Sequence, residues 1–157
     1  MSRVLVDTGA TYAFVDAGDT HHQDARAYVD ASLSRQSVFV LVDLVFAETM
    51  TLMKARLGSA IAIRVGRELR ENPTYAWHAL GADGERETWA LFQKYADKGW
   101  SFTDCAILGV ARRLGVHQVF GFDGHFLQMP GIVRVPSRNE RPGVAKARGK
   151  PRPSRVR

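Results

Sequence analysis

Short apolar runs alternate along this chain with stretches in which apolar residues return every three or four positions. Val4-Leu5-Val6 is an unbroken apolar run closed by Asp7-Thr8-Gly9, which predicts a buried strand ending in a turn. Over residues 19–35, behind an Asp/Thr pair suited to capping, Ala25, Tyr28, Val29 and Leu33 fall near helical spacing. Residues 37–42 then read as a second buried strand. From Asp43 the row Phe46, Met50, Met53, Leu57 repeats at helical spacing up to the stop at Gly58, and a further helix is expected to run to Glu71. Asn72-Pro73 breaks it, and residues 75–80 read either as a strand or as an extended linker. A helix over 83–98, with Trp89, Phe92 and Ala96 as its apolar side, should stop at Gly99. Another opens at Ser101 to Asp104 and runs through Leu114, and residues 116–122 and 132–135 read as strands. Parallel strands need helical crossovers, so this alternation predicts a three-layer α/β/α sandwich on a mostly parallel central sheet.

A chain of 157 residues, 45% of them apolar, sustains one core and is too short for two ordinary domains. No stretch approaches the roughly 20 uninterrupted apolar residues a membrane span requires, so a membrane protein or secreted precursor is not expected. The single cysteine, Cys105, has no partner for an internal disulfide and no zinc-site spacing surrounds it. A reducing cytoplasm suits that usage, with Cys105 as a small buried residue. The net charge of +6 suggests nucleic acid until its location is examined. Nine of the 22 basic residues lie from Arg134 onward against one acid, and the preceding 133 residues hold 13 bases and 15 acids. The body is therefore slightly acidic. Residues 136–157, proline-rich and without an aromatic, read as a basic, disordered extension to a domain over residues 1–135. Charge alone would let that extension grip RNA phosphates, and a merely solvated tail explains it as well.

Four acids share one placement. Asp7 ends the first strand, Glu48 lies early in the helix after the second, Asp104 begins a helix, and Asp123 follows the strand ending at Phe122. In open parallel sheets that is where sites form. Glu48 interrupts the row Leu44, Glu48, Leu52, Ala55, and Asp104 heads the row Leu108, Ala111, Gly115, so both are expected to face apolar surroundings. Crowded carboxylates raise one another's pKa, whereas a divalent cation favours their ionised forms, and all-oxygen ligation suits Mg²⁺ or Mn²⁺. Structural roles compete with this reading at each position. Asp7 is a good helix cap, Ser101-x-x-Asp104 is a capping-box pattern, Phe122-Asp123-Gly124 is a common turn, and Glu48 would be satisfied by a salt bridge to Arg112 or another basic residue. His21 and His22 fit a polar helix face. They and His78, His117 and His125 receive no chemical role. Trp77, Trp89 and Trp100 are expected in the core rather than stacked on bases.

Together these residues resemble the PIN-domain family, specifically its VapC-like toxins, over roughly residues 3–135. The resemblance is carried by Val4-Leu5-Val6-Asp7-Thr8-Gly9, by Asp19-Thr20-His21-His22 with Ala25, and by residues 44–50 continuing to Arg56-Leu57-Gly58. Ser101-Phe102-Thr103-Asp104-Cys105-Ala106 and Phe120-Gly121-Phe122-Asp123-Gly124-His125-Phe126 complete it. It implies hydrolysis of RNA phosphodiesters by a metal-activated water, with Asp7, Glu48 and Asp104 contacting Mg²⁺ or Mn²⁺ directly or through water. Asp123 would act in an outer position or at a second metal, with Thr8 and Thr103 orienting. It further implies tRNA or rRNA as substrate, a homodimer, and a cognate antitoxin. One departure stands out: many members carry Thr or Ser two residues before the last acid, where this chain has Gly121. Rival readings are a PIN nuclease that processes RNA without being a toxin and a non-catalytic RNA-binding protein using the basic tail. A phosphatase with Asp7 as nucleophile is a third, although its usual second aspartate is Gly9 here. No glycine-rich phosphate fingerprint supports a dinucleotide enzyme.

Overall fold

The structure is a computed structural model that describes residues 1–137, so the expectation of a disordered tail falls almost wholly outside the described residues. Five strands, β1 (Arg3–Val6), β2 (Val38–Val42), β3 (Tyr75–His78), β4 (Gln118–Phe120) and β5 (Val133–Val135), form one parallel sheet in the order β3-β2-β1-β4-β5. Six helices connect them: α1 (Thr8–Val15), α2 (His22–Ser34), α3 (Asp43–Leu57), α4 (Ser59–Glu71), α5 (Gly81–Lys94) and α6 (Phe102–Leu114). A 3-10 turn, Gly124–Leu127, follows β4. This is the α/β/α sandwich the alternating pattern predicts, with every pairing parallel.

Both faces of the sheet are covered, which is why its strands read as unbroken apolar runs. Val4, Val6, Phe39 and Phe120 face α1 and α2, packing on Ala10, Ala13, Ala25 and Tyr28. Leu5, Val40, Val42 and Val119 face the other way, onto Val45 of α3, Leu91 of α5 and the apolar side of α6. The chain steps outward from β1 in one direction to β2 and β3 and in the other to β4 and β5. A crevice therefore opens at the carboxyl ends of β1 and β4, where the winding reverses.

Helix α1 was not predicted from periodicity, because Thr8, Ala10, Thr11, Tyr12 and Ala13 are all buried and leave too little polar face to set a period. Helix α5 differs in rotation. Its buried side is Gly84, Thr88 and Leu91, while Trp89 and Phe92 stack together on the surface, Trp89 at 50% exposure. Close packing against α6 decides this. A Cβ on Gly84 would lie 3.4 Å from the Arg113 side chain of α6, one on Gly109 of α6 would lie 3.4 Å from Leu91, and the buried Thr88 hydroxyl is satisfied by donating to the Gly84 carbonyl at 2.7 Å. Trp100 and Cys105 are buried as expected. Trp77 is not: it lies on the surface against Phe46 with the Arg70 guanidinium 5.1 Å from its ring.

Candidate active site

Asp7 is fixed by the strand it ends. Its backbone N–H donates to the Phe120 carbonyl at 2.9 Å, tying β1 to β4, and its Oδ2 accepts the Gly9 N–H at 3.2 Å as the N-cap of α1. Asp104 completes the capping box that the sequence pattern suggested: Ser101 N–H donates to Asp104 Oδ2 at 2.8 Å and Asp104 N–H to Ser101 Oγ at 3.0 Å. Asp123 caps the 3-10 turn by accepting the His125 N–H on Oδ1 at 2.8 Å. Its loop is pinned from β5, where Arg134 Nη1 donates to the Phe122 and Asp123 carbonyls at 3.0 and 3.3 Å. The structural role and the chemical one are thus compatible, because in each carboxylate these contacts fall on a single oxygen.

All four acids line one open cleft of about 520 Å³ at the sheet's carboxyl edge. Glu48 reaches it differently from the expectation. The buried row of α3 is Val45, Thr49 and Met53, and Glu48, one position around the helix from Thr49, is exposed on the side turned to the cleft. It is solvated rather than enclosed by apolar groups. Asp7 bears the electrostatic consequence of the clustering. Burial, followed by the charge of Asp104, pushes its carboxyl up from 3.8 to about 7; the Gly9 N–H pulls the other way, and the Glu48 charge adds a smaller push.

Of the two threonines expected to orient the acids, Thr8 lines the cleft and its backbone N–H favours the ionised Asp7 carboxyl. The Thr8 hydroxyl turns toward α3, 3.5 Å from the Val45 carbonyl, and accepts from Thr49 Oγ1 at 3.4 Å, which docks α1 on α3. Thr103, in the first turn of α6, is not among the residues lining the cleft. Gly121 also acquires a reason. A Cβ there would stand 3.0 Å from the fully buried Phe126 ring and 3.4 Å from Asp7 Cβ, so the space a Thr or Ser would take is filled by Phe126.

Three cleft residues received no role from the sequence. His125 Nδ1 lies 3.2 Å from Asp104 Oδ2 and 3.4 Å from Asp123 Oδ1, because the tight turn after Asp123 folds the second following side chain back over the acids. His21, its N–H donating to Asp19 Oδ1 at 2.7 Å, stacks on Phe122 with centroids 4.4 Å apart and planes 3° from parallel. Arg56, the single Arg or Lys lining the cleft among the described residues, stands 5.4 Å from the Tyr12 ring, whose hydroxyl donates to Asp16 at 2.8 Å. The turn chemistry of Phe122-Asp123-Gly124 signals the first. The other two meet the cleft only through tertiary packing.

Among the described residues no three His, Cys, Asp or Glu side chains are assembled as a ready cage for an ion. Asp7, Glu48 and Asp104 line the same cleft, and after burial the Asp104 charge acts most on the Asp7 carboxyl. That donor set still fits a hard cation such as Mg²⁺, which commonly takes one or two carboxylates and keeps several waters.

A parallel sheet of this order, with acids gathered at its switch point, is the architecture of the PIN domain, and the chain belongs to that family, whose profile matches residues 4–132. Within it, the chain is similar to the 23S rRNA-specific endonuclease VapC20 of Mycobacterium tuberculosis, with 28% identity over 132 residues that cover 84% of this chain and 97% of that protein. The crystal structure of VapC20, named there as a sarcin-ricin-loop-cleaving toxin, aligns with a TM-score of 0.71 at 26% identity, covering 80% of this chain and 93% of that one. VapBC2 from Rickettsia felis bound to a DNA fragment from their promoter has a TM-score of 0.63 at 12% identity over 84% of this chain and 96% of that one. FitAcB from Neisseria gonorrhoeae has 0.59 at 14% over 83% and 95%. The last two attest the fold.

Proposed function

We propose that this chain is a VapC-like endoribonuclease, the toxin of a VapBC-type pair, which hydrolyses RNA with Mg²⁺ or Mn²⁺ and takes ribosomal RNA as its substrate class. The observation that carries the reading is Asp7 beside Asp104: burial, and then the Asp104 charge, hold the Asp7 carboxyl up to about 7, in a cleft with a single Arg or Lys among the described residues. Such a site is electrostatically incomplete until a cation or a proton enters it. Asp7 and Asp104 would hold the metal, each with the oxygen not engaged in its cap, and Glu48 would reach it through water. When bound, the cation supplies a water of lowered pKa and neutralises charge on the phosphate. Arg56 adds positive charge for a phosphate oxygen. Arg134 holds the Phe122 and Asp123 carbonyls and Asp123 caps the turn that carries His125, so Asp123 and His125 would meet the substrate from a fixed loop. The likeness to VapC20 supports ribosomal RNA over tRNA, and a cognate antitoxin and a homodimer belong to the same proposal. No described helix is long and apolar enough to cross a membrane.

The test is cleavage of ribosomes and of total RNA by the purified, antitoxin-free protein in Mg²⁺, in Mn²⁺ and in EDTA, beside Asp7→Asn and Asp104→Asn. Cutting that needs the metal and vanishes in both variants is expected. Undiminished cutting in EDTA or by Asp7→Asn would overturn the assignment.

A further inference from the structure

The stacked rings on the cleft wall have no part in the hydrolytic chemistry. His21 and Phe122 are both half-buried, line the same cleft as the acids, and lie almost exactly parallel although neither ring belongs to a regular element. Each is held from behind. The His21 backbone is fixed by Asp19, and Phe122 meets Phe120 edge-on with centroids 6.0 Å apart while Arg134 grips its carbonyl. Phe122 directly precedes Asp123, so the stack cannot drift away from the acids. Two fixed, partly exposed rings beside a phosphodiester-cleaving cluster present a π surface where a planar group can extend the stack. Every nucleobase has such a face, and Phe and His are among the side chains on which unpaired RNA bases stack.

We propose that His21 and Phe122 form a nucleobase subsite. One unpaired base of the RNA stacks on this pair, which sets the adjoining phosphodiester at Asp7 and Asp104, with Arg56 on its phosphate. The inference rests on the ribonuclease reading and deepens it. It makes the substrate a nucleotide turned out of a loop, since a base inside a duplex has no free face to offer. Asp19 takes part as a positioning residue through His21.

The experiment is a cycle between protein rings and RNA bases. In the shortest ribosomal RNA fragment the wild type binds, each nucleotide in turn is made abasic. Affinity is measured in EDTA, and kcat/KM in Mg²⁺ where cleavage proceeds, for wild type, Phe122→Leu, His21→Leu and the ring-preserving His21→Phe. One position should exist whose base removal weakens binding or kcat/KM by roughly 5- to 150-fold, the range of a single base–aromatic stack. At that position Phe122→Leu and His21→Leu should cause no further loss, and on intact RNA the ring-preserving His21→Phe should lose less than His21→Leu. A 2-aminopurine placed there should be quenched by the wild type and not by Phe122→Leu. Losses that simply multiply at every position overturn the subsite while leaving the ribonuclease reading intact, because a purely structural defect weakens intact and abasic RNA alike. A folded wild type that neither binds nor cuts any RNA overturns both. The abasic scan of the wild type uses no variant, so the absence of any sensitive position refutes the subsite even where a variant misfolds.

Discussion

Replacing Asp7 by Asn should make the metal-free protein more stable at alkaline pH, and the gain should shrink as the pH falls. Burial, then the Asp104 charge, raises the Asp7 carboxyl to about 7 from 3.8. A carboxyl with a raised folded pKa binds its proton more tightly folded than unfolded. Its stabilising contribution is therefore complete below 3.8 and is lost as pH climbs through 7. Roughly three pKa units at about 1.36 kcal/mol each set a ceiling of about 4 kcal/mol. Because the side chain opens onto the cleft, where effective dielectric screening is stronger, about 2 kcal/mol is the lower bound of the range. Asn matches the protonated acid in shape and can still accept the Gly9 N–H through its carbonyl oxygen, so the α1 cap survives. Melts followed by circular dichroism in EDTA should show the variant's advantage widening between pH 4 and pH 8 by about 2–4 kcal/mol, or roughly 5–15 °C for a chain of this size. Adding Mg²⁺ at pH 8 should then raise the melting point of the wild type and not that of the variant, since a ligand that binds only the folded wild type stabilises it by mass action. A gap that stays constant with pH, or a variant less stable at pH 8, would refute the electrostatic account of Asp7.

Three further substitutions probe the frame around the acids. Ser101→Ala removes the hydroxyl that receives the Asp104 N–H and should cost about 1 kcal/mol in urea unfolding. Gly121→Thr, which installs the hydroxyl many relatives carry, forces a side chain against the buried Phe126 ring. It should cost about 1–3 kcal/mol, and Phe126→Leu in the same chain should recover part of that loss by making room. Ile107→Ala, in the fully buried stretch of α6 behind Asp104, should cost about 2–5 kcal/mol by thermal or urea unfolding, and no loss there would mean α6 is not packed as described.

The strands and most helices were legible because burial imprints itself on the order of residues. A strand covered on both faces must be apolar throughout, as β1 and β2 are, and a half-covered helix must repeat at its own period. Where an element departs from those two cases the pattern fails. Helix α1 is too thoroughly buried to show a polar face. Helix α5 carries Trp89 and Phe92 outward because small residues, Gly84 and Gly109, permit the closer helix contact on the opposite side.

The acids followed the same division. That Asp7, Glu48 and Asp123 each fall just beyond a strand or early in the helix after it is a property of the sequence, and parallel topology then brings such positions to one edge; Asp104 opens α6, the second helix after β3, and reaches that edge through the packing of α6. Nothing in the order of residues says which oxygen a cap consumes, that Glu48 is solvated rather than enclosed, or that Phe126 occupies the space of an absent hydroxyl. Nor does it say that His21, Arg56 and His125 reach the same cleft. Local sequence determines which elements form and where their ends lie, since those depend on neighbours three or four residues away. The distances between side chains on separate elements depend on how the helices dock on the sheet, and that was decided by tertiary packing alone.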